Sequence, residues 1–360
     1  MPTIWSEHCP FGIADLEESA ALRYRLPQAP DTLIRKDTIR CCVRNCPHWL
    51  AKRSRRKPES TIRPDHAARW PWCDAVSRRN PESVCPDHGI SVSGSASPTY
   101  VFSDCRRNFV VDVARLEAFT KLKVESWRLG NERSEDALSW NVFVGLARLN
   151  ELASVFRCLT GIETKAEPEL YLWGIRFSDE EPRPWENLDR VRDALESGHR
   201  IPTEPDVILR IPGRLIVLIE AKFGSPNGTL LGQEKRFGDV SDFLALYPSV
   251  DGKADPLNRE WIEQQAPSAV LQQLLRNIIF AQWLASEDEQ AMVVNLVRES
   301  EEQDIVTKIN NHLAEDSPVS FRRGTWESLF RLPALCSGTA EPLKRYLVNK
   351  TNNLARAFQL

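Results

Sequence analysis

Asp206, Glu220 and Lys222 are the residues whose types and spacing could do chemistry together. Carboxylate oxygens are hard ligands suited to Mg²⁺ or Mn²⁺, and such an ion lowers the pKa of a bound water. An ammonium group beside them can orient that water and offset charge on a phosphoryl oxygen. One local structure can gather all three. Val207 to Ile211 and Leu215 to Ile219 are short apolar runs joined by Pro212-Gly213-Arg214, which reads as a β-hairpin. Alternation along the second strand puts Glu220 and Lys222 on one face. Asp206 opens the first strand, beside the end of the second, and so meets that pair. The plainer alternative is a sheet edge whose charges face solvent.

The pattern resembles the PD-(D/E)xK phosphodiesterase family, with Pro205-Asp206 as the PD and Glu220-Ala221-Lys222 as the (D/E)xK. The resemblance covers about residues 130 to 330. It implies an α/β (α+β) fold: a restriction-endonuclease-like αβββαβ core, with a mixed central sheet flanked by helices. It further implies a Mg²⁺- or Mn²⁺-dependent endonuclease that hydrolyses phosphodiester bonds, DNA being favoured over RNA, in a restriction or phage-defence setting. Asp206 and Glu220 would ligate the metal with the Ala221 carbonyl, and Lys222 would orient the attacking water. Family cores begin with a helix whose acid joins the metal site. Glu135 is that residue here, with Glu132 and Asp136 as alternatives set by helix rotation; helix capping accounts for these acids equally well. A helical Gln or Arg behind the sheet matches Gln273 and Arg276, for which an exposed polar face is an equal alternative. A homodimer, or a separate partner protein, fits the same resemblance. The rival readings are a catalytically inactive nuclease-fold subunit that binds nucleic acid or assists assembly, and an interaction protein with a purely structural hairpin.

The flanking elements follow from periodicity. Leu138, Val142, Leu146, Leu149 and Leu152 recur at helical steps, predicting one helix over Arg133 to Leu159 with Ser134 as N-cap. Leu170 to Phe177 reads as a strand, and a polar insertion from Ser178 to Glu204 carries a helix near Trp185 to Ser197. After the hairpin, the loop with Gln233, Lys235 and Arg236 is placed for phosphate contacts. A long helix ends near Ser286, with Val270, Leu274, Ile278, Ala281 and Leu284 on its apolar face. Then come a buried strand at Ala291 to Val297, a helix at Thr307 to Leu313 and a strand at Val319 to Trp326. A last helix, Leu343 to Phe358, could bring Lys344, Arg345, Lys350 and Arg356 to a nucleic-acid backbone.

A second cluster lies upstream: Cys41, Cys42, Cys46, His48, Cys73, Cys85 and His88. Two close pairs separated by a loop are how a small structural zinc site is built, and the loop here has too few apolar residues for a core of its own. The favoured Zn²⁺ ligands are Cys42, Cys46, Cys85 and His88. Cys41 and Cys73 are substitutes, and His48 would strain a shared site. Reduced, half-buried cysteines are the ordinary alternative. The segment also carries a basic run with Arg53, Arg55 and Arg56, the footprint of a phosphate-backbone binder and also of a solvated loop. The expected organisation is an extension over 1–34, a basic Cys/His module over 35–110 and a nuclease-like domain over 111–360.

Composition bounds the rest. With 360 residues, 42% hydrophobic and 27% charged, the chain can build a sizeable core. Its net charge of −3 conceals a basic N-terminal third and a more acidic remainder. No apolar run is long enough to span a membrane, no signal peptide is indicated, and the odd number of cysteines fits thiols or metal ligands. A cytoplasmic protein is expected. There is no P-loop.

Overall fold

The computed structural model describes residues 5, 38–41, 46–51, 84–92, 99–102, 104–123, 129–197, 202–227, 239–249, 252, 254–352 and 355–358. The chain divides into two compact units, one of Met1–Leu149 with Pro333–Leu360, the other of Asn150–Leu332. That division falls within the segment expected as a single domain over 111–360.

The first unit opens with two small antiparallel hairpins. One pairs β1 (Thr38–Arg40) with β2 (Trp49–Ala51), the other β3 (Ile90–Val92) with β4 (Tyr100–Phe102). Helix α1 follows over Val113–Leu122. The single helix expected from Arg133 onward is instead segmented: α2 (Glu135–Ser139), a π turn (Trp140–Val144) and α3 (Gly145–Arg148). Ser134 does cap α2, accepting a hydrogen bond from the Ala137 N–H at 3.2 Å. The π turn coincides with two side chains that hold the preceding segment. Trp140 Nε1 donates to the Val111 carbonyl at 2.9 Å, Asn141 Nδ2 donates to Asn108 O at 2.9 Å, and Asn141 Oδ1 accepts from Val110 N at 2.8 Å. Asn141 thus satisfies buried backbone groups.

The second unit begins at Asn150, whose left-handed φ of 58° ends the helical run. Helix α4 (Leu152–Thr160) leads to β5 (Glu169–Leu172) and β6 (Ile175–Phe177), two strands where one was expected. The turn between them, Trp173-Gly174, has φ of 56° and 78°, as tight hairpins require. Helix α5 (Glu186–Glu196) then precedes the hairpin of β7 (Val207–Ile211) and β8 (Leu215–Ala221). Helices α6 (Val240–Leu246), α7 (Arg259–Glu263) and α8 (Gln272–Leu284) lead to β9 (Gln290–Val297). Helix α9 (Ile305–Asn310), β10 (Val319–Thr325) and α10 (Trp326–Phe330) complete the unit.

These strands form one mixed six-stranded sheet in the order β10-β9-β8-β7-β5-β6. β8, β9 and β10 run parallel, while β8–β7, β7–β5 and β5–β6 are antiparallel. Every residue of β8 is buried, as a strand covered on both faces demands. Ile208, Ile216, Leu218 and Val293 face a core with Leu188 and Val191 of α5 and Leu274 and Ile278 of α8. On the other face, Gly324 sits among Leu159 of α4, Val294 and Leu296. The architecture is mixed α+β, with helices flanking the sheet.

The chain then returns to the first unit through α11 (Glu341–Asn349), which stops well short of the expected Phe358. It continues as the pair β11 (Thr351–Asn352) and β12 (Ala355–Arg356). Lys350 is fully buried rather than presented outward. Its Nζ lies 3.9 Å from Glu132 Oε2 and 4.9 Å from the centroid of the Tyr346 ring. Burial lowers the pKa of Lys350 and raises that of Glu132, against the pull of each on the other. Among the described residues no helix is long and apolar enough to cross a membrane.

Candidate functional site

The β7–β8 hairpin has its turn where the sequence placed it. Gly213, at φ 70°, takes the left-handed conformation that the Pro212-Gly213-Arg214 turn needs. Glu289, just before β9, holds the hairpin: Oε1 accepts from Gly213 N at 2.9 Å and from Arg210 at 2.7 Å, and Oε2 accepts from Ser286 N at 3.1 Å. Burial pushes the Glu289 carboxyl up, but these donors outweigh it and hold the pKa below the usual carboxylate range.

At the opposite end of the hairpin Val207 pairs with Ile219, so the next step outward sets Asp206 against Glu220. Both share the parity of the core-facing Ile208 and Leu218, and both therefore point to the face that α8 covers. Asp206 Oδ2 accepts from Ala221 N at 2.8 Å, and its carbonyl accepts from Trp173 N at 3.2 Å. Glu220 is 2% exposed and doubly bonded: Lys222 Nζ donates to Oε1 at 2.5 Å and Asn277 Nδ2 to Oε2 at 2.8 Å. The Lys222 backbone is fixed from both sides, N–H to Leu296 O at 2.8 Å and carbonyl to Trp326 Nε1 at 2.9 Å. The structure thus brings Asp206, Glu220 and Lys222 together.

The helical residue that meets this group is Asn277. Gln273 and Arg276, expected for that role, make no hydrogen bond to Glu220 or Lys222 among the described residues. The register further sets Asn295 beside Glu220. Asn295 Oδ1 accepts from Asn227 Nδ2 at 2.9 Å, while Asn295 Nδ2 donates to Glu302 Oε2 at 2.7 Å. Asn227 N also donates to Glu302, at 2.7 Å. Arg323 steadies this edge by donating to the carbonyls of Arg298, Glu299 and Glu301. A small cleft lined by Lys222, Pro226, Val297 and Glu302 opens here, at the carboxyl ends of β8 and β9, where open sheets with parallel strands bind ligands. Sequence reasoning missed Asn277, Asn295 and Glu302. The available signal was Asn295 within the apolar run Ala291–Val297, and Asn277 beside Arg276 in the otherwise apolar stretch Leu274–Phe280.

Glu135 lies in the first unit, at the start of α2, whereas Asp206, Glu220 and Lys222 lie in the second. Its alternatives are engaged within the first unit. Glu132 accepts from Thr351 N at 3.1 Å, and Asp136 Oδ1 lies 3.5 Å from Lys123 Nζ.

The first unit holds its own cluster. Sγ of Cys41, Cys46 and Cys85 and Nδ1 of His88 all lie within 4.8 Å of one another and can hold a metal ion. Cys41 follows β1 and Cys46 precedes β2, while Cys85 and His88 precede β3. The separations are 3.6 Å for Cys46–Cys85, 3.7 Å for Cys41–His88 and 3.2 Å for Cys85–His88. Two backbone bonds shape the loops, Cys41 N to His48 O and Gly89 N to Cys85 O. Burial pushes the Cys85 thiol up to about 12, raises that of Cys46 and lowers His88. A bound cation would reverse the penalty on the thiolates. The described set contains Cys41 in place of the expected Cys42. Cys42 and Cys73, together with Arg53, Arg55, Arg56, Gln233, Lys235 and Arg236, lie outside the described residues. His48 bonds Asp87 instead, Nε2 to Oδ2 at 2.8 Å.

No protein-family model matches the chain, and comparisons with curated proteins and with solved structures find no match either.

Proposed function

We propose that the chain is a Mg²⁺-dependent nuclease acting on DNA, with a zinc-stabilised module in its first unit. The observation that carries this reading is the meeting of Asp206, Glu220 and Lys222 on one face at the end of the β7–β8 hairpin. The order of antiparallel strands, a helix and a parallel strand (β5, β7, β8, α8, β9) also agrees with the αβββαβ core of the PD-(D/E)xK enzymes.

The donor set fits a hard divalent ion. Asp206 and Glu220 offer hard carboxylate oxygens, of the kind that such an ion takes as ligands. When bound, the ion supplies Lewis acidity and an acidified water. The chain's own residues do the rest. Asn277 fixes the orientation of the Glu220 carboxylate. Lys222, poised on Glu220, directs its ammonium to the water and to the charge developing on phosphate.

For the cluster, a tetrahedral zinc with Zn–S of about 2.3 Å and Zn–N of about 2.0–2.1 Å spaces its ligand atoms about 3.6–3.8 Å apart. Cys46–Cys85 at 3.6 Å and Cys41–His88 at 3.7 Å match this spacing, Cys85–His88 at 3.2 Å is closer, and zinc held by Cys41, Cys46, Cys85 and His88 would have a structural role.

The test is cleavage of plasmid, linear and single-stranded DNA with Mg²⁺ or Mn²⁺, comparing wild type with Lys222→Ala. Metal-dependent cutting that the variant lacks establishes the reaction and its site. No cutting, or equal cutting by both, removes the nuclease reading.

A further inference from the structure

Beside the cleft at Lys222 lies a second, larger one of about 430 Å³, within the roughly 300–1,000 Å³ range of small-molecule sites. Glu302 lines both, so the two meet at one side chain. Trp261 stands at this cleft with 40% of its surface exposed, one of two exposed large hydrophobic residues among those described. An aromatic plane left in solvent beside a polar cleft is a surface to stack on.

The polar walls have a definite hydrogen-bonding character. Asn227 and His312 are 4% and 6% exposed, and each has an atom with no hydrogen-bond partner, Asn227 Oδ1 and His312 Nε2. Asn227 Nδ2 faces the carboxylate of Glu302, which can only accept, so the oxygen of the amide is the atom left over. His312 Nδ1 lies 2.7 Å from the Lys308 carbonyl and must carry the proton there, which makes Nε2 an acceptor in the neutral ring. Two residues of the cleft wall thus carry a buried acceptor left unused among the described residues. Its charged side chains are Glu302, Asp304 and Lys308, and the last two pair at 2.7 Å. Among the described residues this leaves no surplus positive charge in the cleft for a phosphate.

We infer that this cleft binds one unpaired nucleobase of the substrate, stacked on Trp261 with its N–H edge toward Asn227 and His312, while the adjoining phosphate lies at Lys222. The inference rests on the proposed nuclease reading and narrows its substrate to single-stranded or locally opened nucleic acid, since a base inside a duplex cannot enter such a pocket.

The test is binding of a short fluorescein-labelled deoxyadenosine strand to the wild type, the parent here, followed by anisotropy without Mg²⁺ or Mn²⁺ so that no strand is cut. Adding Trp261→Ala weakens binding about 5- to 100-fold, the range for loss of one base–aromatic stack. Trp261→Phe keeps most of the affinity, and an abasic strand binds the parent and the Trp261→Ala protein alike. Equal affinity of parent and Trp261→Ala for the intact strand, or no binding by the parent, overturns the inference. The two readings fail separately. Metal-dependent cutting by a wild type that Trp261→Ala leaves unchanged removes the base cleft and keeps the nuclease. Trp261-dependent binding by a chain that never cuts does the reverse.

Discussion

Asn277 and Glu220 form a buried pair, the Asn277 amide donating at 2.8 Å to the oxygen of Glu220 that Lys222 does not use. The bond joins α8 to the last turn of the β8 ladder and leaves the carboxylate a single orientation. Asn277→Ala strips that donor from a buried charged group, at a cost of about 1–3 kcal/mol. The expected outcome is a urea midpoint lowered accordingly and cleavage at saturating Mg²⁺ slowed about tenfold or more, with little change in strand affinity. Unaltered stability and rate would make the contact incidental.

The metal cluster yields a comparison between adjacent cysteines. Cys41→Ser, Cys85→Ser and His88→Ala each lose zinc, whereas Cys42→Ser keeps it, because the described cluster uses Cys41. Elemental analysis of the purified variants gives zinc per chain directly. Full zinc in Cys41→Ser would exclude the geometry described. Chelation of the wild type lowers its melting temperature, since metal affinity in such a module is folding free energy.

Glu289 makes the hairpin's anchorage sensitive to pH. Its folded-state pKa lies below the ordinary value of 4.5, so its contribution is present above that value and is lost as pH falls through the folded-state pKa. Glu289→Gln is therefore expected to cost about 1.5–3 kcal/mol near neutral pH, the range for hydrogen bonds to a charged group. The penalty shrinks in acid. Denaturant titrations of both proteins at the two pH values measure it, and a penalty independent of pH would contradict the assignment.

Gly174 is placed where no other residue fits. Its φ of 78° is left-handed, and a Cβ there would collide with Leu188 Cδ2 of α5. Gly174→Ala combines backbone strain with overpacking and is expected to destabilise by about 2–4 kcal/mol. Because Trp173 N holds the Asp206 carbonyl, cleavage falls as well as melting temperature.

The legible parts of the chain were those with local signatures. Pro212-Gly213 between two apolar runs fixed the hairpin, and alternation then fixed which charges share a face. The Cys/His cluster was legible by residue type, but a choice between neighbours such as Cys41 and Cys42 depends on loop shape that spacing does not carry. Trp173-Gly174 escaped notice because a bulky aromatic at positive φ, within an otherwise strand-like run, reads as continuous strand. The Asn150 break was masked by the regular recurrence of Leu146, Leu149 and Leu152. Asn277 and Asn295 act through partners in distant segments, Glu220 and Glu302, and only the sheet register brings those together.

The pairing of Glu132 with Lys350 also orders events on the ribosome. Glu132 is synthesised before the whole of Asn150–Leu332, and Lys350 after it. The sheet unit has its complete sequence while the first unit still lacks α11 and the cation that offsets a buried carboxylate. An uncompensated charge of that kind is strongly destabilising. The unit whose chain begins first is thus the last to be complete, and a chain lacking Lys350 has the whole sequence of the sheet unit but leaves Glu132 without its cation.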